Sequence, residues 1–187
     1  MKIGVLAVQG AFAEHEAILR KLGVDCIEIR KRSDLSTKLK GIVLPGGEST
    51  VMGKLLKDLF LFDELRNLIS EGIPVLATCA GAILLAQELE GESVSYFKTI
   101  PMKIKRNAYG RQLSSFVANQ EISGIGCYPM RFIRAPYITS VAPDVKILST
   151  VNDKIVAAEF YNQIALTFHP ELTKDYRIHE YFLEKVN

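Results

Sequence analysis

A cysteine at position 79 stands between an apolar run and a predicted helix. The segment Val75–Ala82 reads VLATCAGA, and such a crowd of small residues is typical of a sharp turn that presents a nucleophile. Free N–H groups at the start of a helix favour the thiolate, the reactive form of cysteine. The amide of Ala80 would also point towards a developing oxyanion. A buried, inert cysteine fits the same segment equally well.

His169 and Glu171 supply a base and a group that can orient it. His169 follows the apolar run Ile164–Phe168, and the adjacent Pro170 disfavours a helix. We therefore place His169 at the end of a strand, in extended backbone, where residues two apart face the same side. The Glu171 carboxylate would then set the tautomer of the imidazole and stabilise its cation. Taken alone, His169 is also interpretable as a capping or surface histidine.

The segment Leu44–Thr50, LPGGEST, joins a predicted strand to a predicted helix. Gly46 and Gly47 permit positive φ and a close approach of backbone to a ligand. Their N–H groups can receive a carboxylate or an oxyanion. The alternative is an ordinary turn with Ser49 as the helix cap. The lysine and spacing of a Walker phosphate loop are absent, which argues against that function.

Two arginines in loop-like settings are candidates for binding a carboxylate. Arg106 lies in KRNAYGRQ (105–112), and Arg134 lies in FIRAP (132–136). A guanidinium binds a carboxylate in a bidentate fork, so an amino-acid substrate is one ligand that these residues would suit. Ordinary surface arginines fit the same settings.

The other cysteines and histidines lack comparable settings. We interpret Cys26, in mid-strand, and Cys127 as inert packing residues. His15 lies between two glutamates of a helical stretch and His179 lies in the predicted terminal helix, and we expect both at the surface. Three widely spaced cysteines without a CxxC pair argue against a zinc site and a disulfide framework. We expect neither a metal nor a cofactor.

These segments need a fold that brings them to one edge, and the first half of the chain predicts one. Apolar runs at 2–8, 24–29, 41–44 and 73–77 are expected as strands, and helical patterns cover 12–22, 49–57, 62–69 and 80–88. This alternation is typical of a three-layer α/β fold, with a mostly parallel central sheet and helices on both faces. The carboxyl ends of parallel strands share one edge, where ligands bind.

The second half of the chain is rich in short β-type runs. Those at 130–133, 138–141, 145–150 and 155–160 predict a mixed or antiparallel extension of the same sheet. A final inner strand at 163–168 and a closing helix at 175–185 follow. No linker, repeat or low-complexity segment interrupts the sequence, so we expect a single domain over residues 1–187.

Composition excludes several classes of function. The 23 basic and 21 acidic residues leave a net charge of +2, which offers no broad positive surface for nucleic acid. The cluster at 30–32 is expected to be a solvated turn. No run approaches the roughly 20 apolar residues that span a bilayer, and the N-terminal segment lacks the features of a signal peptide. We expect a cytoplasmic protein that binds neither nucleic acid nor a membrane.

Five strings together resemble those of a known family. They are PGGEST (45–50), TCAG (78–81), RNAYGRQ (106–112), FIRAP (132–136) and FHPEL (168–172). The cysteine and His-Pro-Glu motifs resemble those of class I glutamine amidotransferases, whose domain has a flavodoxin-like α/β fold. The strings around the two arginines resemble the glutaminase subunit of pyridoxal 5′-phosphate synthase. The likeness extends from Gln9 to Leu172.

The resemblance implies a glutaminase that hydrolyses L-glutamine to L-glutamate and ammonia. Cys79 would attack the side-chain amide and form a thioester, His169 would carry the proton, and Glu171 would orient His169. The amides of Gly47 and Ala80 would form the oxyanion hole. The residues expected to hold the substrate are Gly46, Gly47, Glu48, Arg106, Arg134 and Ala135.

The resemblance also implies a partner. The ammonia would pass to a separate synthase subunit that builds pyridoxal 5′-phosphate from sugar phosphates within a large hetero-oligomer. The glutaminase would be weakly active without that subunit, and Gln9–Gly10 would lie near the interface between them.

Two other functions stay open. One is a class I amidotransferase subunit that serves a different nitrogen-transfer pathway. The other is a flavodoxin-like module with Cys79 as a redox-sensing thiol. Glu171 favours an enzyme, because a sensor needs no carboxylate two residues after a histidine base.

Overall fold

The computed structural model describes residues 1–36, 38–106 and 115–186, in which five α-helices are present. No helix in this part of the chain combines the length and the apolar character that a membrane span requires. Two short 3₁₀ turns lie at Arg32–Ser36 and Pro170–Leu172. The α-helices are α1 (Phe12–Lys21), α2 (Ser49–Asp58), α3 (Phe62–Ser70), α4 (Ala80–Leu85) and α5 (Arg177–Val186).

Twelve strands occupy most of the remaining described residues. They are β1 (Lys2–Leu6), β2 (Asp25–Ile29), β3 (Gly41–Leu44), β4 (Val75–Thr78), β5 (Ala86–Leu89), β6 (Ile100–Lys105), β7 (Ser115–Ile122), β8 (Gly126–Ile133), β9 (Tyr137–Val141), β10 (Lys146–Val151), β11 (Lys154–Phe160) and β12 (Gln163–Leu166).

The predicted parallel sheet is present, in the order β2-β1-β3-β4-β12 with all neighbours parallel. Its strands are continuous apolar runs because both of their faces are buried. In β3, for example, Ile42 and Leu44 point to one face and Val43 to the other, and all three are fully buried. β12 lies beside β4, with Leu166 opposite Thr78. The segments that follow these two strands therefore emerge together at one edge.

Two core clusters lie on the two faces of the sheet. The first contains Met52 of α2, Leu65 of α3 and Leu84 of α4. The second contains Leu19 of α1 and Phe182 of α5, together with side chains of β8. Helices thus cover both faces, and the predicted three-layer α/β architecture is confirmed.

The extension of the sheet is mixed, as expected. Beyond β12 the order continues β11-β9-β6-β5. Strand β10 stands outside this order and pairs with β11. β11 is antiparallel to β12, β9 and β10, and β6 is antiparallel to β9, whereas β5 and β6 run parallel.

One prediction about the second half is wrong, because residues 130–133 do not join this sheet. They belong to β8, which within the described residues pairs with β7 alone, in a separate antiparallel hairpin. The reason lies in the alternation of β8, where Tyr128, Met130 and Phe132 are buried while their neighbours are more exposed. This apolar face packs into the second core cluster, and Phe132 lies 5.7 Å from Phe168 between ring centroids.

The helix predicted over 80–88 is also shorter than expected. It ends at Leu85, because Ala86 has extended backbone (φ −62°, ψ 139°) and begins β5. Strand β5 pairs with β6, with Ala86 opposite Ile100. A buried apolar run fits a helix and a strand equally well from periodicity alone, and the neighbouring strand decided between them.

Candidate active site

The backbone bends sharply at Cys79, between β4 and α4. Its φ of 47° and ψ of −103° are strained for a residue other than glycine, at a cost of about 1–3 kcal/mol. The bend is held because the Cys79 N–H donates to the carbonyl of Leu166 in β12, at 2.8 Å. Cys79 as a residue is 7% exposed and lines a surface cavity, so it is not sealed in the interior.

His169 follows β12 and lies against the hairpin. Its backbone N–H donates to the carbonyl of Arg131 in β8, at 2.8 Å. The His169 side chain is 11% exposed and lines the same cavity as Cys79. Parallel pairing of β4 with β12 therefore brings together two residues that are 90 positions apart in the sequence.

Glu171 contacts the far side of the His169 ring, with Oε1 at 2.6 Å from Nδ1. We expected extended backbone here, and that expectation is wrong, because Pro170–Leu172 form a 3₁₀ turn. Proline suits the first position of such a turn, since its φ is already helical and no N–H is needed there. Glu171 nevertheless reaches the imidazole, and Nε2 remains available for the thiol.

The electrostatics of the three groups are linked. Burial by itself disfavours the His169 cation, but the hydrogen bonds with Cys79 and Glu171 outweigh it and raise the pKa of His169 to about 10. Burial likewise disfavours the Glu171 anion, yet the histidines around it hold the pKa of its carboxyl well below the usual range. The resting site therefore holds an imidazolium between an anion and a cysteine, which is the arrangement that activates sulfur nucleophiles.

The prediction that His15 and His179 lie at the surface is wrong, since both are fully buried. His15 Nε2 lies 3.3 Å from Glu171 Oε2 and 3.2 Å from Thr78 Oγ1. Its Nδ1 lies 3.0 Å from His179 Nε2. The helical register held a signal for both, because His15 is four residues before the buried Leu19 and His179 is three residues before the buried Phe182.

The glycine loop lies directly against the histidine ring. A Cβ at Gly46 would come within 2.5 Å of His169 Cε1, so only glycine fits there. The Gly46 carbonyl accepts from the Ala11 N–H at 2.9 Å. Gly10 must also be glycine, because its φ is 100° and a side chain would overlap that carbonyl.

Gln9 is a contact of this loop that sequence reasoning did not identify. Its Oε1 accepts from the Glu48 N–H at 2.8 Å, and a Cβ at Gly47 would collide with the same oxygen. No pattern in the sequence indicates this contact, which depends on the alignment of β1 beside β3. Among the described residues, the Gly47 and Ala80 amides have no hydrogen-bond acceptor, so both remain free to bind an oxyanion.

Glu48, and not Ser49, caps helix α2. Its carboxylate accepts from the N–H groups of Thr50 at 3.3 Å and Val51 at 2.8 Å. The alternative that Ser49 is the cap is therefore wrong. Ser49 is buried and its hydroxyl instead accepts from Arg106, at 3.2 Å.

The two candidate arginines border one cavity with Cys79 and His169, of about 510 Å³. Arg106 is partly engaged, because its Nε donates to Glu92 at 2.6 Å and its Nη1 donates to Thr50 at 2.9 Å. Arg134 is exposed and has a positive φ of 44°. Residues 107–112 of the Arg106 string lie outside the described residues. The cavity is lined further by Gln9, Gly46, Gly47, Glu48, Ile83 and Pro136.

Ala135 does not line this cavity. Its side chain is 2% exposed and packs in the second core cluster. Ala80 is 1% exposed and adjoins Cys79 through the backbone, so any part that these alanines take in binding is played by main-chain atoms.

A model of the SNO glutamine amidotransferase family matches residues 5–187. The chain belongs to this family. A protein from Desulfitobacterium hafniense named pyridoxal 5′-phosphate synthase subunit PdxT is 56% identical over 187 residues, which cover 100% of this chain and 94% of the relative. One with the same name from Haemophilus influenzae is 49% identical over 98% of this chain and 97% of the relative. A solved structure described as a glutamine amidotransferase superposes with a TM-score of 0.93, at 41% identity over 98% of both chains.

The two remaining cysteines of this glutamine amidotransferase lie away from the cavity. Cys26 is half-buried in β2, and burial raises the pKa of its thiol to about 11, which suits an inert residue. Cys127 is exposed, so its interpretation as a packing residue is wrong. Within the described residues, no group of three or more His, Cys, Asp or Glu side chains is placed to hold a metal ion.

Proposed function

We propose that this chain is the glutaminase subunit of a pyridoxal 5′-phosphate synthase and hydrolyses L-glutamine to L-glutamate and ammonia. The observation that carries the proposal is that Cys79 and His169 line one cavity and lie against the same glycine. A Cβ placed on Gly46 would be 3.5 Å from Cys79 Cβ and 2.5 Å from His169 Cε1, and His169 Nδ1 lies 2.6 Å from Glu171. The relatives named above as subunits of that synthase support the choice of pathway.

In the first half of the reaction, Cys79 Sγ attacks the carbonyl carbon of the glutamine side-chain amide. The Gly47 and Ala80 amides bind the oxyanion that forms on the carbonyl oxygen. His169 Nε2 gives its proton to the amide nitrogen, the C–N bond breaks, and ammonia leaves. The product is a thioester between Cys79 and the glutamyl group.

In the second half, a water molecule attacks the thioester carbonyl. His169, now neutral, takes a proton from the water, and Glu171 stabilises the resulting imidazolium. The C–S bond then breaks, glutamate is released, and Cys79 returns to its starting form. No group other than the triad, the oxyanion hole and water is needed.

Recognition of glutamine falls to the residues around the mouth of the cavity. Arg134 and the free edge of the Arg106 guanidinium bind the α-carboxylate, because a planar cation matches a carboxylate in geometry and charge. The backbone of the glycine loop completes the lining beside them, and Ala135 contributes only by holding its neighbour Arg134 at the cavity. The full set of substrate-binding residues is Gly46, Gly47, Glu48, Arg106, Arg134 and Ala135.

A synthase subunit receives the ammonia, within a large hetero-oligomer. Gln9 and Gly10 lie near that interface, since they border the cavity mouth and hold the glycine loop. Residues 1–187 act as a single domain, because one sheet continues from β2 to β5. The enzyme works in the cytoplasm, a reducing compartment that suits its unpaired cysteines.

The decisive experiment measures ammonia release from glutamine, with and without a pyridoxal 5′-phosphate synthase subunit. We expect strong activation by that subunit and complete loss in Cys79→Ala, with Cys127→Ala as the matched control that keeps activity. Activity that survives in Cys79→Ala would refute the proposal. Activation by a synthase from another nitrogen pathway instead would indicate a different class I amidotransferase.

A separate measurement tests the redox-sensor alternative. A glutamine-like electrophile should alkylate Cys79, and glutamine should protect it. Labelling that ignores glutamine would favour a sensing thiol over a substrate-binding enzyme.

A further inference from the structure

Two buried histidines stand behind the proposed triad, on the side away from the cavity. His15 comes from α1 and His179 from α5, and both are fully buried. They form a line with Glu171, in which His15 Nε2 lies 3.3 Å from Glu171 Oε2 and His15 Nδ1 lies 3.0 Å from His179 Nε2. Burying three titratable side chains in contact is costly unless their charges and protons are matched.

The two oxygens of Glu171 have different partners. Oε1 binds His169 Nδ1 at 2.6 Å, whereas Oε2 is buried and has no hydrogen bond of good geometry within the described residues. His15 Nε2 lies 3.3 Å from Oε2 and 3.2 Å from Thr78 Oγ1. A proton on His15 Nε2 would therefore lie between a hydroxyl and a carboxylate. Without it, one oxygen of a buried anion would face no hydrogen-bond donor from this side.

The second histidine determines where the proton of His15 resides. Burial lowers the pKa of His179 to about 3, so His179 is neutral and carries one proton. Its Nδ1 is buried without a partner in the described part of the chain. A proton there would be a buried, unsatisfied donor, so the favourable position is Nε2, which faces His15 Nδ1. His15 then accepts at Nδ1 and keeps its own proton on Nε2, towards Glu171.

We propose that His15 is a positioning residue for the glutaminase reaction, which holds the Glu171 carboxylate in place and ionised while His179 selects the tautomer of His15. This inference rests on the proposed function, because Glu171 acts only through His169. In the described part of the chain, the titratable groups that interact with Glu171 are His15 of α1, His169 of its own turn, His179 of α5 and Tyr128 of β8.

Removal of His15 has a defined consequence at His169. A Glu171 carboxylate that is less firmly held stabilises the His169 cation less, so the pKa of His169 falls. His169 then loses its proton at a lower pH than in the wild type, so that it can no longer protonate the leaving ammonia. The basic limb of the kcat–pH profile therefore shifts to lower pH. We expect kcat to fall about 10- to 100-fold, as for outer partners that orient histidines in metal sites, with KM little changed.

The kinetic test uses three variants together with the synthase subunit. His15→Ala should lower kcat and shift the basic limb, and His15→Gln should restore much of both, because its amide N–H can occupy the position of Nε2–H. Leu19→Ala is the matched control on the same helix, since Leu19 is equally buried but belongs to the second core cluster. It should lose stability and keep the wild-type profile.

A second test needs no substrate. The chain has three histidines, so ring ¹⁵N resonances can be assigned by single substitutions and titrated in the isolated chain. The midpoint of His169 should fall in His15→Ala and recover in His15→Gln. This titration separates the role of His15 from the proposed glutaminase function, because it reports the effect of His15 on His169 even if no glutaminase activity is found.

Two results would overturn the inference. One is an unchanged His169 midpoint in folded His15→Ala. The other is a loss of kcat that Leu19→Ala matches, with the same pH profile in both variants, which would make His15 a packing residue only. If His15→Ala does not fold, the same comparison is made with His15→Gln and His15→Leu.

Discussion

The two sides of His169 are built in different ways. One side faces an open cavity of about 510 Å³, bordered by loop backbone and by arginines such as the exposed Arg134. The other side is closed, with Glu171 and His15 fully shielded from solvent. An open side can exchange water for substrate, whereas a closed side holds its groups in one arrangement of protons. We therefore expect substitutions on the open side to act on KM and those on the closed side to act on kcat and its pH dependence.

Glu171→Gln should have the largest effect, because it removes the charge on the closed side and leaves the shape. We expect kcat to fall about a thousandfold or more, as when the carboxylate of a protease triad becomes an amide. The basic limb of the profile should also move to lower pH, since the anion that raises the pKa of His169 is gone. Steady-state kinetics over pH check this. Glu159→Gln, which removes a partly buried carboxylate bonded to Tyr181, is the control, and an equal loss in both would contradict the comparison.

Gly46→Ala tests how strictly the glycine loop fixes the position of the His169 ring, which separates the two sides. The new Cβ would lie 2.5 Å from His169 Cε1, so the ring must move by a large fraction of an ångström. A displacement of about 1 Å costs roughly 100-fold in rate. Single-turnover kinetics should show the loss in the acylation step. The control is Gly23→Ala, where no atom lies within 4 Å of a new Cβ. Its φ of 77° makes this substitution cost stability, but it should keep full activity. A wild-type rate in Gly46→Ala would show that the ring position is not critical.

Arg134→Lys should weaken the binding of glutamine in the cavity and leave the groups behind His169 unchanged. A lysine keeps the charge but loses the planar fork, so we expect KM for glutamine to rise about tenfold with kcat nearly unchanged. Arg32→Lys, on the surface beside Glu64, is the control. If kcat fell and KM did not change, the division of roles between the two sides would be wrong.

His179→Phe should have the smallest effect on catalysis but a measurable one on stability. Its pKa is about 3 in the folded chain and about 6.5 when unfolded. Between these values the unfolded chain binds a proton that the folded chain does not, so stability falls as the pH is lowered through this window. Removing the imidazole should reduce that dependence by up to about 1.4 kcal/mol per pH unit. Urea unfolding at pH 4, 5 and 6 measures it, and parallel slopes in both proteins would refute a neutral buried His179.

Much of the fold was predictable because local pattern and burial agree. In β3 and β4 every residue is buried, so the apolar runs could only be inner strands. The errors occurred where burial was compatible with two structures. The run 80–88 divides into α4 and β5, and β8 has the alternation of a sheet strand but covers the face of the sheet instead.

The candidate site also contains residues that the sequence predicted and residues that it did not. Cys79, His169 and the glycine loop stood out because small residues, proline and glycine impose special backbone whatever surrounds them. His15 and His179 did not, because neither imposes special backbone. His15 in addition lies between two glutamates, a setting that is typical of a surface. Only the docking of α1 and α5 on the same face of the sheet buried them together.

The order of residues alone determined the alternation of strands and helices, the bend at Cys79 and the placement of His169 after an inner strand. These features depend on steric limits and apolar periodicity within a few residues of each other. The tertiary structure decided which strands became neighbours, and hence that sulfur and imidazole meet. It also decided that two more histidines lie behind the carboxylate, because burial depends on what packs from distant parts of the chain.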